Sequence, residues 1–342
     1  MFVVNDKTMA NQSLETVWKA NEKELLELLN SKVLTPNPKE ITFYAPSFIH
    51  YKTSNHCVSK DCFPTFSVTG KACALNCRHC GGRLLTTMEP TDTPEKLLRA
   101  AHKLKAKGGV GCLVSGGCGS TGSVPLEKFV PVLAKMKNEL DLTVIVHTGI
   151  IDEPTAISLK NSGIDAALID IVGADETIEE ICHMQLKIKD YENSLKELNN
   201  AGLNFVPHVI VGLQNGKLLG ELQALKMIAG VEPSALVIIA FMPIRGTEME
   251  RVKPPSPIEI ARVVATARLM FPKTPLSLGC MRPKGKHRDE TDCLALNAGV
   301  DAIAFPSEQA IHYAEENGYE TRFLPCCCSQ IFADIAHRSV SK

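Results

Sequence analysis

At 342 residues, with 44% hydrophobic and 22% charged residues, the chain has the apolar content of a globular protein with a full core, and its length fits one large α/β domain or two smaller ones. A formal net charge of −1 leaves no basic excess to hold nucleic acid or an anionic membrane, and no run approaches the roughly eighteen apolar residues of a membrane span. The opening Met1-Phe-Val-Val is cut short by Asn5-Asp6-Lys7, so no secretory signal is read and a cytoplasmic protein is expected.

In chain order, Ser13, Glu15 and the leucines at 25, 26, 28 and 29 predict a helix over 13–32, stopped by Pro36 and Pro38. Residues 40–50 read as extended. From residue 65 onward, short Val/Ile/Leu/Ala runs alternate with helical patterns. Strands are expected at 65–69, 110–115, 142–148, 165–171, 204–212, 235–241, 275–280 and 301–305. Helices are expected at 93–107, 125–139, 153–162, 190–201, 217–229, 256–270, 287–298 and 307–317, several ending at glycine. Eight such pairs predict an α/β fold, a (β/α)8 TIM-type barrel over 65–318, with an N-terminal extension (1–64) and a Cys-rich C-terminal tail (319–342). An open or partial barrel is the alternative. In either, chemistry belongs at the C-terminal ends of the strands.

Thirteen cysteines are the anomaly of this composition. The number is odd, and in a reducing compartment thiols serve metal or redox chemistry rather than disulfides. Three of them, Cys73, Cys77 and Cys80, stand in C-x3-C-x2-C spacing directly after the first barrel strand, with Gly81 and Gly82 behind them. Such a loop can wrap three corners of a cubane iron–sulfur cluster and leave the fourth iron open to a ligand. A structural zinc site would want a fourth ligand, and only His79, inside the loop, is near. A disulfide pair or buried free cysteines are the remaining readings.

This loop, with His79 before its last cysteine, resembles the motif of the radical S-adenosylmethionine (SAM) superfamily. The resemblance implies a 4Fe-4S cluster whose open iron chelates SAM, and a 5′-deoxyadenosyl radical made by one-electron cleavage of SAM. Ser115-Gly116-Gly117-Cys118, after the second strand, looks like the family's glycine-rich element for the methionyl amino group, with Cys118 where the motif has Glu. The fifth strand and Gly212 resemble the region that packs on adenine; Glu221 lies too far along for a strict match. Asp170 ends the fourth strand, where a carboxylate facing the mouth can bond ribose hydroxyls, and His147 ends the third; a satisfied polar residue at the barrel rim is the alternative for each. No G-x-G-x-x-G or Walker pattern competes with this reading.

Ten cysteines remain. Cys57-x4-Cys62 precedes the first strand, and Cys326-Cys327-Cys328 lies near the C-terminus. In a closed barrel the first and last strands are neighbours, so these groups are candidates for a second, auxiliary 4Fe-4S cluster. Surface or packing thiols are the simpler reading. Cys112, Cys182 and Cys293 read as filler, and Arg282, Lys284 and Arg288 beside Cys280 read as an anion clamp or a solvated rim.

Residues 57–328 resemble the biotin synthase and lipoyl synthase neighbourhood of the superfamily. Leu278–Gly285, Asn297–Pro306 and the terminal cysteines are most similar to split, archaeal-type lipoyl synthases. Cys57-x4-Cys62 is similar to the opening of the bacterial auxiliary motif C-x4-C-x5-C, with Val68 where the third cysteine belongs. The resemblance implies sulfur insertion at C6 or C8 of an octanoyl chain on a carrier protein. It also implies a sister radical SAM subunit and an electron donor of ferredoxin or flavodoxin type. The alternatives are another biotin synthase-like enzyme, such as one maturing a metal cofactor, and a non-catalytic iron–sulfur carrier.

Overall fold

A computed structural model describes residues 14–35, 39–47, 51–53 and 61–341. Eleven strands form one wholly parallel sheet. They are β1 (Glu40–Tyr44), β2 (Thr65–Ser67), β3 (Glu89–Pro90), β4 (Gly111–Ser115), β5 (Thr143–His147), β6 (Ala166–Ile171), β7 (Phe205–Val211), β8 (Leu236–Ala240), β9 (Leu276–Leu278), β10 (Ala302–Ala304) and β11 (Glu320–Leu324). Their order is β11-β1-β10-β9-β8-β7-β6-β5-β4-β2-β3. The eight expected strands are all present, as β2 and β4 to β10. Runs such as Thr143-Val-Ile-Val-His147 bury both faces, as a parallel strand with cover on each side must.

The expected neighbourhood of first and last barrel strands is corrected. Among the described residues β10 pairs with β9 and β1, not with β2, and β1 and β11 carry the sheet past it. The arc is therefore open by hydrogen bonding, a parallel α/β barrel with a split wall. Across that split, the Phe63 amide donates to Ser47 Oγ (2.8 Å), and the Phe63 ring is fully buried. The tail is an ordered element: after β11 the chain turns at Cys326–Cys328, makes a short 3-10 turn and ends in the helix Ile331–Ser341.

Two apolar layers result. The outer one lies between sheet and helices. The inner one fills the concave face with Ile145, Leu168, Val206, Val237, Ala302 and Ala304, residues of alternating position on their strands, together with Tyr44, Phe63, Cys328 and Ile331. The tail is thus an inner wall of the barrel: Ser277 Oγ donates to the Cys328 carbonyl (3.2 Å), and Tyr44 Oη donates to Asp334 (2.5 Å). Burying Ile331 alone contributes about 1.5–3 kcal/mol to holding it there.

The N-terminal helical segment is two pieces, 14–19 and Glu22–Asn30. Asn21 breaks them, capping the second in a reciprocal box with Glu24. Arg262 donates to the Val17 and Trp18 carbonyls that the break leaves free. A six-residue helix, Asp175–Glu180, occupies what reads as loop in the sequence.

Arg282 is not an anion clamp. It is fully buried and paired in fork geometry with Asp292 (2.6 and 2.9 Å), and it also donates to the carbonyls of Gly279, Ala304 and Phe305. Every donor is spent on tying the end of β9 to the end of β10. Lys284 is exposed, and Arg288 donates to the Arg282 carbonyl.

Candidate active site

The cysteine loop leaves β2 through a turn in which Ser67 Oγ bonds the Gly70 carbonyl. Left-handed backbone at Asn76, Gly81 and Gly82 curls it, and the Cys77 carbonyl accepts the amides of Cys80 and Gly81. A second segment clamps it: the Arg78 amide donates to the Ile181 carbonyl, and His183 Nδ1 meets the Leu75 carbonyl. All three thiols then line one cavity of about 300 Å³ at the C-terminal ends of the strands.

The donor set fits a metal cluster. The Cys80 thiol is pushed up to about 12 by its contact with Cys77 and by burial, and Cys77 is raised by its side-chain contact with Cys182, whose carbonyl also lies 3.4 Å from the Cys77 sulfur. Bound iron would take the place of the protons on these thiols. His79 adds a buried Nδ1 with no partner. Ligand atoms of Cys77, His79 and Cys80 lie within 4.8 Å of one another.

Ser115, Gly116, Gly117, His147 and Asp170 line the same cavity. A Cβ on Gly117 would meet the Ala72 carbonyl oxygen at 2.1 Å and Cys73 Cβ at 2.6 Å, so only glycine lets this backbone lie against the cysteine loop. Its amide is held by Thr69 Oγ1 (2.7 Å), and the Cys118 carbonyl accepts from Ala74. Glycine strip and cysteine loop are one cradle on the wall of this cavity.

Gly212 is not brought to the cavity. It turns at positive φ against Pro255, while its neighbours Ile210 and Leu213 line the space. Glu221 reaches back to it after all: Oε1 accepts the Gly212 amide at 2.8 Å, so this buried carboxylate fixes the turn after β7.

Across the cavity stand His147, Asp170 and His208. Register places Asp170 opposite His208 on β6 and β7. His147 Nε2 lies 3.5 Å from Asp170, and the two imidazoles stack at 5.9 Å. Burial alone would raise the Asp170 carboxyl, but His147 overrides it and holds it at about 2. Burial would lower His147, yet Asp170 raises it; His208, also buried but without that hydrogen bond to Asp170, falls to about 4. The sign follows. The Asp170 share of this pairing is complete above the ordinary carboxyl value of 3.8 and lost as pH falls through about 2. The His147 share is complete below 6.5 and lost as pH rises through its elevated value. NMR titration of the metal-free chain should therefore show a His147 midpoint above 6.5 that drops in Asp170→Asn. An unchanged midpoint would refute the pairing.

A second cavity, of about 250 Å³, continues inward from the first; both are bordered by Leu84, Leu113, His147, Asp170, Ile210 and Leu213. Its floor carries Cys280, Cys327 and Cys328. The Cys328 thiol donates to the Cys327 sulfur, which lowers Cys327 and raises Cys328. Cys326 lies near Asp334 and Cys62, and neither Cys62 nor Cys326 borders this cavity. Cys57 lies outside the described residues. Sequence reading passed over the Cys182 carbonyl and set Cys280 apart from the tail. Both are long-range juxtapositions, and no local spacing announces them.

Comparison with known proteins fits this geometry. Residues 67–216 match the radical SAM superfamily, and residues 238–333 match the biotin and thiamin synthesis associated domain. The chain thus carries a radical SAM domain followed by a biotin and thiamin synthesis associated domain. Among curated proteins it is similar to biotin synthases. It is 27% identical over 254 residues to the biotin synthase of Buchnera aphidicola subsp. Schizaphis graminum, covering 70% of each chain. To the biotin synthase of Prochlorococcus marinus strain AS9601 it is 24% identical over 317 residues, 90% of this chain and 89% of the other. The fold is shared with the FeFe-hydrogenase maturase HydG (TM-score 0.60, 18% identity, 96% of this chain and 81% of that one). It is shared equally with methylornithine synthase PylB (TM-score 0.59, 16% identity, 95% and 99%). Among the described residues no helix is long and apolar enough to cross a membrane.

Proposed function

We propose that this protein inserts sulfur into an unactivated carbon of a protein-bound octanoyl chain, at C6 or C8, as one part of a two-protein lipoyl synthase. The observation that carries this reading is the inner cavity. Thiols of the tail and of β9 face the SAM-side cradle across a wall of Leu84, Leu113, Ile210, Ile239 and Phe241. An aliphatic chain suits that wall, and a bare iron–sulfur carrier has no use for it.

When bound, the 4Fe-4S cluster at Cys73, Cys77 and Cys80 and SAM supply a hydrogen-abstracting 5′-deoxyadenosyl radical, and an auxiliary 4Fe-4S cluster at the tail supplies sulfide. The chain's own residues do the positioning. The backbone of Ser115, Gly116 and Gly117 receives the methionyl end. Asp170, kept ionised beside His147, accepts hydrogen bonds from ribose. The apolar wall holds the acyl chain and excludes water from a radical. The partners are an octanoylated carrier domain, a sister radical SAM subunit and a ferredoxin- or flavodoxin-type donor.

Under reductant, with SAM and the sister protein, an octanoyl-lysine peptide should stimulate 5′-deoxyadenosine formation and become thiolated. The same peptide without its acyl chain should do neither. Equal stimulation by both peptides would refute the substrate assignment. A second reading, a biotin synthase-like enzyme maturing a metal centre, draws on His147, Asp170 and His208, whose ligand atoms lie within 4.8 Å of one another. It predicts 5′-deoxyadenosine with no response to the acyl chain.

A further inference from the structure

The sequence offers two thiol sets for an auxiliary cluster, one at Cys57 and Cys62 and one in the tail, and the structure separates them. Resting on the sulfur-donor reading above, we infer that the second cluster is held on the concave face of the sheet by Cys280, Cys327 and Cys328, and that Cys62 and Cys326 are not among its ligands.

Three observations carry this. The first is convergence. Cys280, at the end of β9, and Cys327 and Cys328, in the tail, border one cavity from two directions. Both sides are braced: the Ala240 amide donates to the Met281 carbonyl, Ser277 Oγ to the Cys328 carbonyl, and the Gln330 amide to the Cys327 carbonyl. Gly279 lets Cys280 come in close, since a Cβ there would meet Ile239 at 2.5 Å and Val237 at 2.7 Å.

The second is charge. A cluster bound by thiolates is anionic and needs positive charge nearby. The Arg288 guanidinium lies near Cys280; Arg282 lies near Cys280 and Cys328, with its own charge balanced by Asp292. On the other side of the tail, Asp334 sits next to Cys326, so an anionic group there would meet a carboxylate.

The third is unmet bonding capacity. His208, 8% exposed and bordering the same cavity, has a buried Nδ1 without a partner. Buried polar atoms left open in this way mark a group still to be seated.

The test uses the anaerobically reconstituted full chain, with iron and sulfide counted and the clusters followed by Mössbauer and EPR spectroscopy. Wild type is expected to hold about eight irons. Cys280→Ala should fall to about four, with the EPR signal that responds to SAM intact, and Cys62→Ala should keep about eight. Loss of half the iron in Cys62→Ala, or none in Cys280→Ala, would overturn the ligand set while leaving the sulfur-donor reading standing. About four irons in wild type would instead overturn that reading, and this inference with it. Should Cys280→Ala fail to fold, alkylation of wild type decides. Cys280 should be modified in the metal-free chain and protected in the loaded one, with Cys62 modified in both. Equal modification of Cys280 in both states would refute the assignment.

Discussion

Cys77→Ala is expected to abolish reductive SAM cleavage, with 5′-deoxyadenosine falling to the background of the uncatalysed reaction. The size of this effect follows from where the thiol stands. Cys77 is the most buried of the three loop cysteines, its backbone carbonyl closes the turn through Cys80 and Gly81, and its sulfur lies against the Cys182 carbonyl. Removing it leaves two protein thiolates for a cluster that needs three. Cys118, although raised to about 12 by burial and by Cys73, sits on the glycine strip rather than in the loop. The matched control is Cys112→Ala: Cys112 is fully buried in β4, in the outer core, and its loss should leave cleavage intact. Chromatographic assay of 5′-deoxyadenosine under reductant reads both. Retained cleavage in Cys77→Ala would sink the assignment of the loop.

Arg282→Met should destabilise the fold by about 3–5 kcal/mol, seen as a lower urea midpoint with an unchanged slope. Both partners of the Arg282–Asp292 pair are fully buried, and the guanidinium spends its donors on one carboxylate and three carbonyls. Its removal strands the Asp292 charge in the interior, where the Ser307 amide is its remaining hydrogen-bond donor among the described residues. The double variant Arg282→Met/Asp292→Leu should regain much of the loss, because no uncompensated charge is left behind. A single variant as stable as wild type would contradict the buried network. Since Arg282 ties β9 to β10 beneath Cys280, iron bound at the tail should suffer with it.

These two residues show what a sequence displays and what it hides. Cys77 is legible because its chemistry is local: three thiols in eight residues after an apolar run need no distant partner to declare themselves. The strands of the barrel are legible for the same reason, since a buried parallel strand is a short continuous apolar run. Arg282 reads as a ligand clamp because a cationic, glycine-containing loop at a strand end looks alike whether its charge faces a ligand or Asp292 ten residues on. β1 reads as extended, but its pairing with β11 joins Glu40 to Glu320, which no local pattern encodes. Gly212 reads as a site residue from the motif it resembles, whereas its positive φ turns it toward Pro255. Cys280 and Cys327 meet only because the tail folds onto the inner face of the sheet.

The most direct measurement is a single anaerobic turnover of chain reconstituted with heavy-isotope sulfide, mixed with unlabelled sister protein, SAM, reductant and an octanoyl-lysine peptide. Mass spectrometry of the peptide should find heavy sulfur on the acyl chain, together with 5′-deoxyadenosine. Abundant 5′-deoxyadenosine with no heavy sulfur in the peptide would show a radical enzyme whose own sulfur goes nowhere, and would contradict the account.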